Sequence, residues 1–163
     1  GLHGGGQHIH SKMGNLNPHL DYAIHPKIDA ERRLNAIYYL TDKHEESDGG
    51  HFGLWGNGSI KEPGKLLKEY APIFNRLVFF NTSQNTWHGL SRVYAPKDSR
   101  YRKSLAAYHV SEPRDIALSH TRALFAPRED QHEDKNIIDQ IKARVSESNH
   151  KNVYVTKKNE NNK

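Results

Sequence analysis

What constrains this chain most is a succession of short apolar and aromatic runs, each closed off by turn-forming residues. Leu34-Asn-Ala-Ile-Tyr-Tyr-Leu-Thr41, Gly50-His-Phe-Gly-Leu-Trp55, Pro72–Asn81, Thr86–Val93 and Arg102–Val110 read as strands, and Pro72–Asn81 is the most hydrophobic of them. Gln7–Met13 and Leu16–Tyr22 read as two more, upstream of these. Gly14-Asn15, Asn57-Gly58 and Thr82–Asn85 supply the turns. Short strands separated by turn signals at regular spacing point to a β-sandwich or barrel. Alternation within Gly50–Trp55 puts His51, Gly53 and Trp55 on one face and Phe52 and Leu54 on the other.

The remaining segments are more polar. His25–Arg33 reads as a charged loop, with Arg32 and Arg33 solvated and salt-bridged. Thr41–Gly49 is acidic and turn-rich, and Ala95–Arg100 is a proline-containing loop. Lys61–Tyr70 is expected to hold an amphipathic turn or helix after Pro63-Gly64. Ala123–Pro127 is expected to pack back onto the sheets. Ile137, Ile138, Ile141 and Val145 recur at near-helical spacing and predict one helix over Glu133–Val145. From Ser146 onward the chain is Asn, Lys, Glu and Ser, a composition expected to stay disordered. No internal repeat is present.

Composition narrows the class. At 163 residues the chain is one domain with room for one core. It carries no cysteine, which removes disulfides, Cys-ligated zinc and iron–sulfur clusters. No apolar run approaches the roughly 18 residues of a membrane span, and no signal peptide is visible, so a cytoplasmic setting is expected. The chain starts at Gly1 rather than Met, as an N-terminally truncated fragment would. The net charge of +5 is a mild surplus suited to solubility and substrate steering. Aromatic residues do not interleave with a basic stripe, so a nucleic-acid partner is not expected.

One pair carries chemistry. In Asn15-Leu-Asn-Pro-His-Leu-Asp-Tyr22, His19 and Asp21 are two apart and leave a strand on the same face. An imidazole and a carboxylate side by side can fill two coordination positions of Fe(II), Mn(II) or Zn(II). A second histidine from a distant strand completes a two-His-one-carboxylate face with positions left open, and His88 in Asn85-Thr-Trp-His-Gly-Leu90 is the candidate. Taken alone the pair is weak, because 12 histidines in 163 residues generate His-x-Asp by chance. A second instance, His132-x-Asp134, stands in a polar run that reads as a solvated helix start. His8 and His10 share a face of their strand and read as an exposed or hydrogen-bonded pair. Tyr39, Trp55 and Trp87 read as packing residues, Arg76 as a surface residue, and Asn35 and Asn81 as edge, turn or pocket positions.

The order of motifs adds specificity. His19-Leu-Asp21, Arg32-Arg33-Leu-Asn-Ala-Ile-Tyr-Tyr-Leu40, Gly49-Gly50-x-Phe-x-Leu-Trp55, Arg76-Leu-Val-Phe-Phe80, Trp87-His88-Gly89 and Arg102-Lys-Ser-Leu-Ala-Ala-Tyr108 follow one another as in the Fe(II)/2-oxoglutarate dioxygenases. The chain resembles that family, and within it the prolyl 4-hydroxylase-like branch, over about residues 5–127. The resemblance implies a mainly β fold, a double-stranded β-helix or jelly roll over 1–127, followed by a helical segment over 128–148 and a polar disordered tail over 149–163. It implies His19, Asp21 and His88 as iron ligands. It implies Arg102 as the residue that holds the distal carboxylate of 2-oxoglutarate, since its planar fork suits a carboxylate and Lys103 points to the opposite face. Tyr39 matches a position that donates to the same carboxylate. The implied cofactors are Fe(II), 2-oxoglutarate as cosubstrate and O2, with ascorbate as a further candidate.

The implied reaction hydroxylates a C–H bond while 2-oxoglutarate is converted to succinate and CO2. A prolyl residue in a peptide or protein is the expected substrate, with another protein side chain, a free amino acid or a glycan precursor as alternatives. Ile24–Arg33 and Asn57–Tyr70 are expected to line the mouth of the site. Two departures bear on the cosubstrate pocket. Ala106 stands where several relatives have a hydroxyl, and Gln7–Leu16 offers His and Ser where oxygen-sensing relatives have tyrosines. The rival readings are a catalytically inactive, cupin-like jelly-roll binding protein and a nucleic-acid-modifying member of the same superfamily.

Overall fold

The computed structural model describes residues 5–82, 85–94, 101–118 and 120–146. In chain order the strands are β1 (Gly6–His10), β2 (Leu16–Leu20), β3 (Glu31–Tyr39), β4 (Phe52–Gly56), β5 (Lys65–Tyr70), β6 (Leu77–Asn81), β7 (Trp87–Leu90), β8 (Arg102–Ser111) and β9 (Leu124–Phe125), followed by the helix α1 (Lys135–Val145). They form two antiparallel sheets. One has the order β1-β8-β3-β6, the other β5-β4-β7-β2-β9. Apart from the β4–β5 hairpin, strands adjacent in sequence sit in opposite sheets, which is the jelly-roll arrangement the motif order implied.

The core between the sheets is Tyr39, Phe52, Phe80 and Leu90, with Leu16, Ile37, Leu54, Tyr70 and Val78 packed around it. Phe52 and Leu54 take the inner face of β4, as the alternation required. A second cluster, Leu20, Trp87 and Ala126 with Trp55 and Leu124, covers the other face of the second sheet. All four residues of β7 are therefore buried, and Trp87 Nε1 still finds an acceptor in the Ser59 carbonyl at 2.7 Å. A strand buried on both faces is a rigid support for whatever side chains it presents. The outer face of the first sheet is less well covered, and Leu34, Leu77, Phe79 and Leu105 are exposed there.

Several boundaries differ from the sequence expectation. Lys65–Tyr70 is a strand, not a helix or turn. It pairs with β4 along one edge only and is exposed over most of its length. Cross-strand pairing, such as Leu66 with Trp55, wins over a helical propensity that has no core to face. The strand expected over Pro72–Asn81 begins at Leu77, because Asn75 turns the chain with φ 66°. Arg32 and Arg33 are not in a solvated loop but in β3, and Arg32 is buried. The helix starts at Lys135, where Asp134 caps it by accepting from the backbone N–H of Asn136 and Ile137. The 149–163 tail and the 95–100 loop lie outside the described residues. No helix among the described residues is long and apolar enough to cross a membrane.

Candidate metal and cosubstrate site

His19 on β2 and His88 on β7 are direct cross-strand partners, with ring centroids 4.2 Å apart. Each ring is oriented by a carbonyl two residues earlier in its own chain. His19 Nδ1 lies 3.0 Å from the Asn17 oxygen, and His88 Nδ1 lies 2.9 Å from the Thr86 oxygen. A carbonyl can only accept, so Nδ1 carries the proton and Nε2 keeps its lone pair for a metal. Phe125 stacks on His19 at 5.2 Å, and Phe80 and Phe52 flank His88 at 4.6 and 5.9 Å. Those rings leave the imidazoles little freedom to turn.

Asp21 follows directly after β2 and faces both Nε2 atoms. Its Oδ1 is 3.8 Å from His19 Nε2 and its Oδ2 is 3.2 Å from His88 Nε2. His19, Asp21 and His88 each bring one ligand atom into a cluster no wider than 4.8 Å. Two neutral imidazoles and one carboxylate form a hard-to-borderline donor set with a net charge of −1, suited to a divalent first-row ion. Burial works to raise the Asp21 carboxyl, but His88, then His19 and Arg32, outweigh it and hold the group below the usual carboxylate range. Burial pushes the His19 imidazole down to about 4, and His88 adds to the fall. The carboxylate and the neutral imidazole are both the metal-binding forms.

Arg102 opens β8 on the inner face, and Lys103 beside it is exposed on the outer one. Arg102 Nε donates to the Gly50 carbonyl at 2.8 Å, and Nη1 lies 3.4 Å from Ser104 Oγ. Its guanidinium stands over the Tyr39 ring at 5.0 Å. Arg102 Nη2 and Tyr39 Oη are both buried without a hydrogen-bond partner. Among the described residues no carboxylate pairs with this buried cation. Two orphaned donors beside an unpaired guanidinium fit a carboxylate supplied from outside the chain. Arg102 and the three metal-cluster residues line one cavity of about 400 Å³ between the sheets.

Other residues in the cavity were not singled out as site residues. Arg32 and Asn35 reach Asp21 from β3, and His8 and His10 project from β1 opposite Ser104 and Arg102. Asn35 shares its strand face with Tyr39 by plain alternation, so that signal was available. Arg32 was hidden by a bulge between Arg32 and Leu34, which shifts the alternation by one and turns Arg32 rather than Arg33 inward. His132, the alternative His-x-Asp histidine, is exposed and does not line the cavity, and Asp134 serves as a helix cap.

A jelly roll with a two-His-one-carboxylate cluster and a buried arginine in the same cavity has the donors to hold a divalent metal ion beside an anion. The sequence itself matches the family model of the 2OG-Fe(II) oxygenase superfamily over residues 6–110, and the chain belongs to that family. Membership implies Fe(II), 2-oxoglutarate and O2. A prolyl 3-hydroxylase OGFOD1 of Xenopus laevis is 31% identical over 105 residues, covering 61% of this chain and 20% of that protein. The Mus musculus protein of the same name is 32% identical over 69 residues, covering 42% of this chain and 13% of that protein. The chain thus spans about a fifth or less of these relatives' length. A Pseudomonas putida prolyl-4-hydroxylase structure superposes with TM-score 0.50 at 20% identity, over 69% of this chain and 53% of that one, a likeness of fold.

Proposed function

We propose that this chain is an Fe(II)- and 2-oxoglutarate-dependent dioxygenase that hydroxylates a prolyl side chain in a peptide or protein. The observation that carries the reading is the convergence of His19, Asp21, His88 and Arg102 on one cavity. The prolyl assignment is supported by the likeness to the prolyl 3-hydroxylases.

In this reading His19 Nε2, His88 Nε2 and Asp21 would hold the iron and leave it accessible to ligands from outside the chain. Arg102 Nη2, with Tyr39 Oη, holds the distal carboxylate of 2-oxoglutarate. Bound there, iron and 2-oxoglutarate supply the oxidising power that places one oxygen atom of O2 in a substrate C–H bond and the other in succinate, with release of CO2. The residues of this chain orient and exclude. Asn17 and Thr86 carbonyls keep the imidazole Nδ1 protons in place, so neither ring turns its N–H toward the metal. Phe52 and Phe80 keep one wall of the cavity apolar. Gly50 and Ser104 fix the plane of the Arg102 fork before any ligand arrives.

Anaerobic titration with Fe(II) and 2-oxoglutarate tests this reading through the weak visible charge-transfer band of the ternary complex. The band is expected in the wild type, absent in His19→Ala, and shifted to roughly 10–100-fold higher 2-oxoglutarate in Arg102→Ala, the loss of buried charge-assisted bonds. A prolyl peptide incubated with the enzyme, O2 and ascorbate is then expected to gain one oxygen atom by mass spectrometry. No band in well-folded wild-type protein overturns the enzyme reading in favour of an inactive jelly roll. A band without any modified prolyl peptide overturns the substrate assignment alone.

A further inference from the structure

Asp21 is gripped from the opposite sheet. Asn35 Nδ2 donates to Asp21 Oδ2 at 2.7 Å, and Arg32 Nη2 stands 3.2 Å from the same oxygen. Arg32 Nε donates to Asn35 Oδ1 at 2.8 Å, so both ends of the Asn35 carboxamide are used and its orientation is set. Arg32 is itself held flat, with its guanidinium 3.5 Å from the Tyr108 ring centre and 4.8 Å from that of Tyr22. Both residues are buried, Arg32 at 4% and Asn35 at 3% exposure, so the grip is not diluted by solvent.

The grip is one-sided. A carboxylate offers about two lone pairs on each oxygen. On Asp21 Oδ2 these meet Asn35 and Arg32, and His88 Nε2 stands 3.2 Å from the same oxygen, whereas no hydrogen bond reaches Oδ1 among the described residues. Oδ1 therefore keeps the lone pairs a metal ion needs. If the carboxylate were free to turn, it would chelate through both oxygens and consume one of the positions left open by three protein ligands.

We propose that Asn35, braced by Arg32, is a positioning residue that restricts Asp21 to one-oxygen metal ligation through Oδ1. This rests on the iron-centre reading of the site and deepens it. The grip spans the two sheets, since Asn35 is on β3 and Asp21 follows β2. A role confined to tying the sheets together is the competing account, and the test has to separate the two.

Co(II) bound to the purified protein reports coordination number directly, because its visible absorption weakens as coordination number rises. Asn35→Leu keeps the size of the side chain and removes its donor. Asn35→Ser shortens the side chain beyond reach and decides the matter by the same readout where the leucine variant does not fold. In the folded variant, Co(II) is expected to bind 10–100-fold more weakly than in wild type, about the usual loss for a group that orients a metal ligand. Its visible band is expected to be weaker per bound ion, as the freed carboxylate turns to chelate. Unchanged affinity and band overturn the proposal. Weaker binding with an unchanged band marks Asn35 as a tie between the sheets and also overturns it. The comparison needs neither Fe(II) nor 2-oxoglutarate, so a failure of the enzyme reading in the charge-transfer titration is distinguishable from a failure here.

Discussion

His19 is the residue whose protonation this fold most clearly opposes at its metal cluster. Burial brings its pKa from the ordinary 6.5 to about 4, with His88 contributing in the same direction. The folded pKa lies below the unfolded one, so between these values the unfolded chain binds a proton that the folded chain refuses. The resulting stability is fully present above pH 6.5 and is lost as pH falls toward 4, on the order of 3 kcal/mol for a shift of that size. His10, also brought down to about 4 by burial and then by Arg102, adds to the same slope from a half-exposed position. The melting temperature of chelator-treated protein is therefore expected to drop between pH 7 and pH 5, and His19→Asn to flatten that drop. A melting temperature independent of pH over this range in the wild type contradicts the burial account. Asp21 was legible in the same two-residue motif as His19, because alternation within one strand is set by local backbone geometry. The pKa of His19 was not legible, because the groups that bury it come from β7 and β9.

At the scale of elements, the turn that leads into β4 matters more than its length implies. Gly50 has φ 69°, a left-handed conformation that non-glycine residues avoid. Its carbonyl accepts from Arg102 Nε, and a Cβ at this position would stand 2.8 Å from Arg102 Cδ and 3.1 Å from Val93 Cγ2. Gly50→Ala is expected to cost about 1–2 kcal/mol from backbone strain. It is also expected to push the Arg102 fork out of line, which raises the 2-oxoglutarate needed to form the charge-transfer band while leaving Fe(II) affinity near wild type. Equal loss of both affinities in a folded variant refutes this division of labour between the turn and the metal cluster. The β3 bulge belongs to the same scale. Asn35, Ile37 and Tyr39 obey alternation and can be placed from sequence, but Arg32 reads there as the end of a charged loop, and an extra residue in a strand carries no local signature that would turn it inward. The β5 strand was missed in the other direction, since a strand with a single neighbour and little burial leaves a weak apolar pattern.

Over the whole molecule, the C-terminal segment closes on the strand that carries His19. Arg128 Nη2 donates to Asn15 and Asn17, Asn17 Nδ2 donates to Gln131 Oε1 at 2.8 Å, and Arg122 Nη1 donates to the Ser146 carbonyl at 3.0 Å. Asn17 is also the residue whose carbonyl orients His19. Removing residues from 128 onward is expected to lower the melting temperature by roughly 5 °C or more, the scale of a few lost part-buried hydrogen bonds. Co(II) affinity is expected to fall with it, through the loosened Asn17. A shortened chain with wild-type metal affinity shows that the segment stabilises the sheet without reaching the site.

The sequence alone determined most of the strand pattern, the faces of Gly50–Trp55 and of Arg102 and Lys103, the C-terminal helix and the residue types available for a metal and a carboxylate. Those follow from backbone period, turn chemistry and ligand preference, all of which act over a few residues. Only the tertiary structure decided that His88 stands opposite His19, that Arg102 is left with an unpaired donor beside Tyr39, and that Asn35 and Arg32 cross from the other sheet to hold one oxygen of Asp21. Register and bulges are settled by how two sheets pack on each other, and that packing depends on every strand at once.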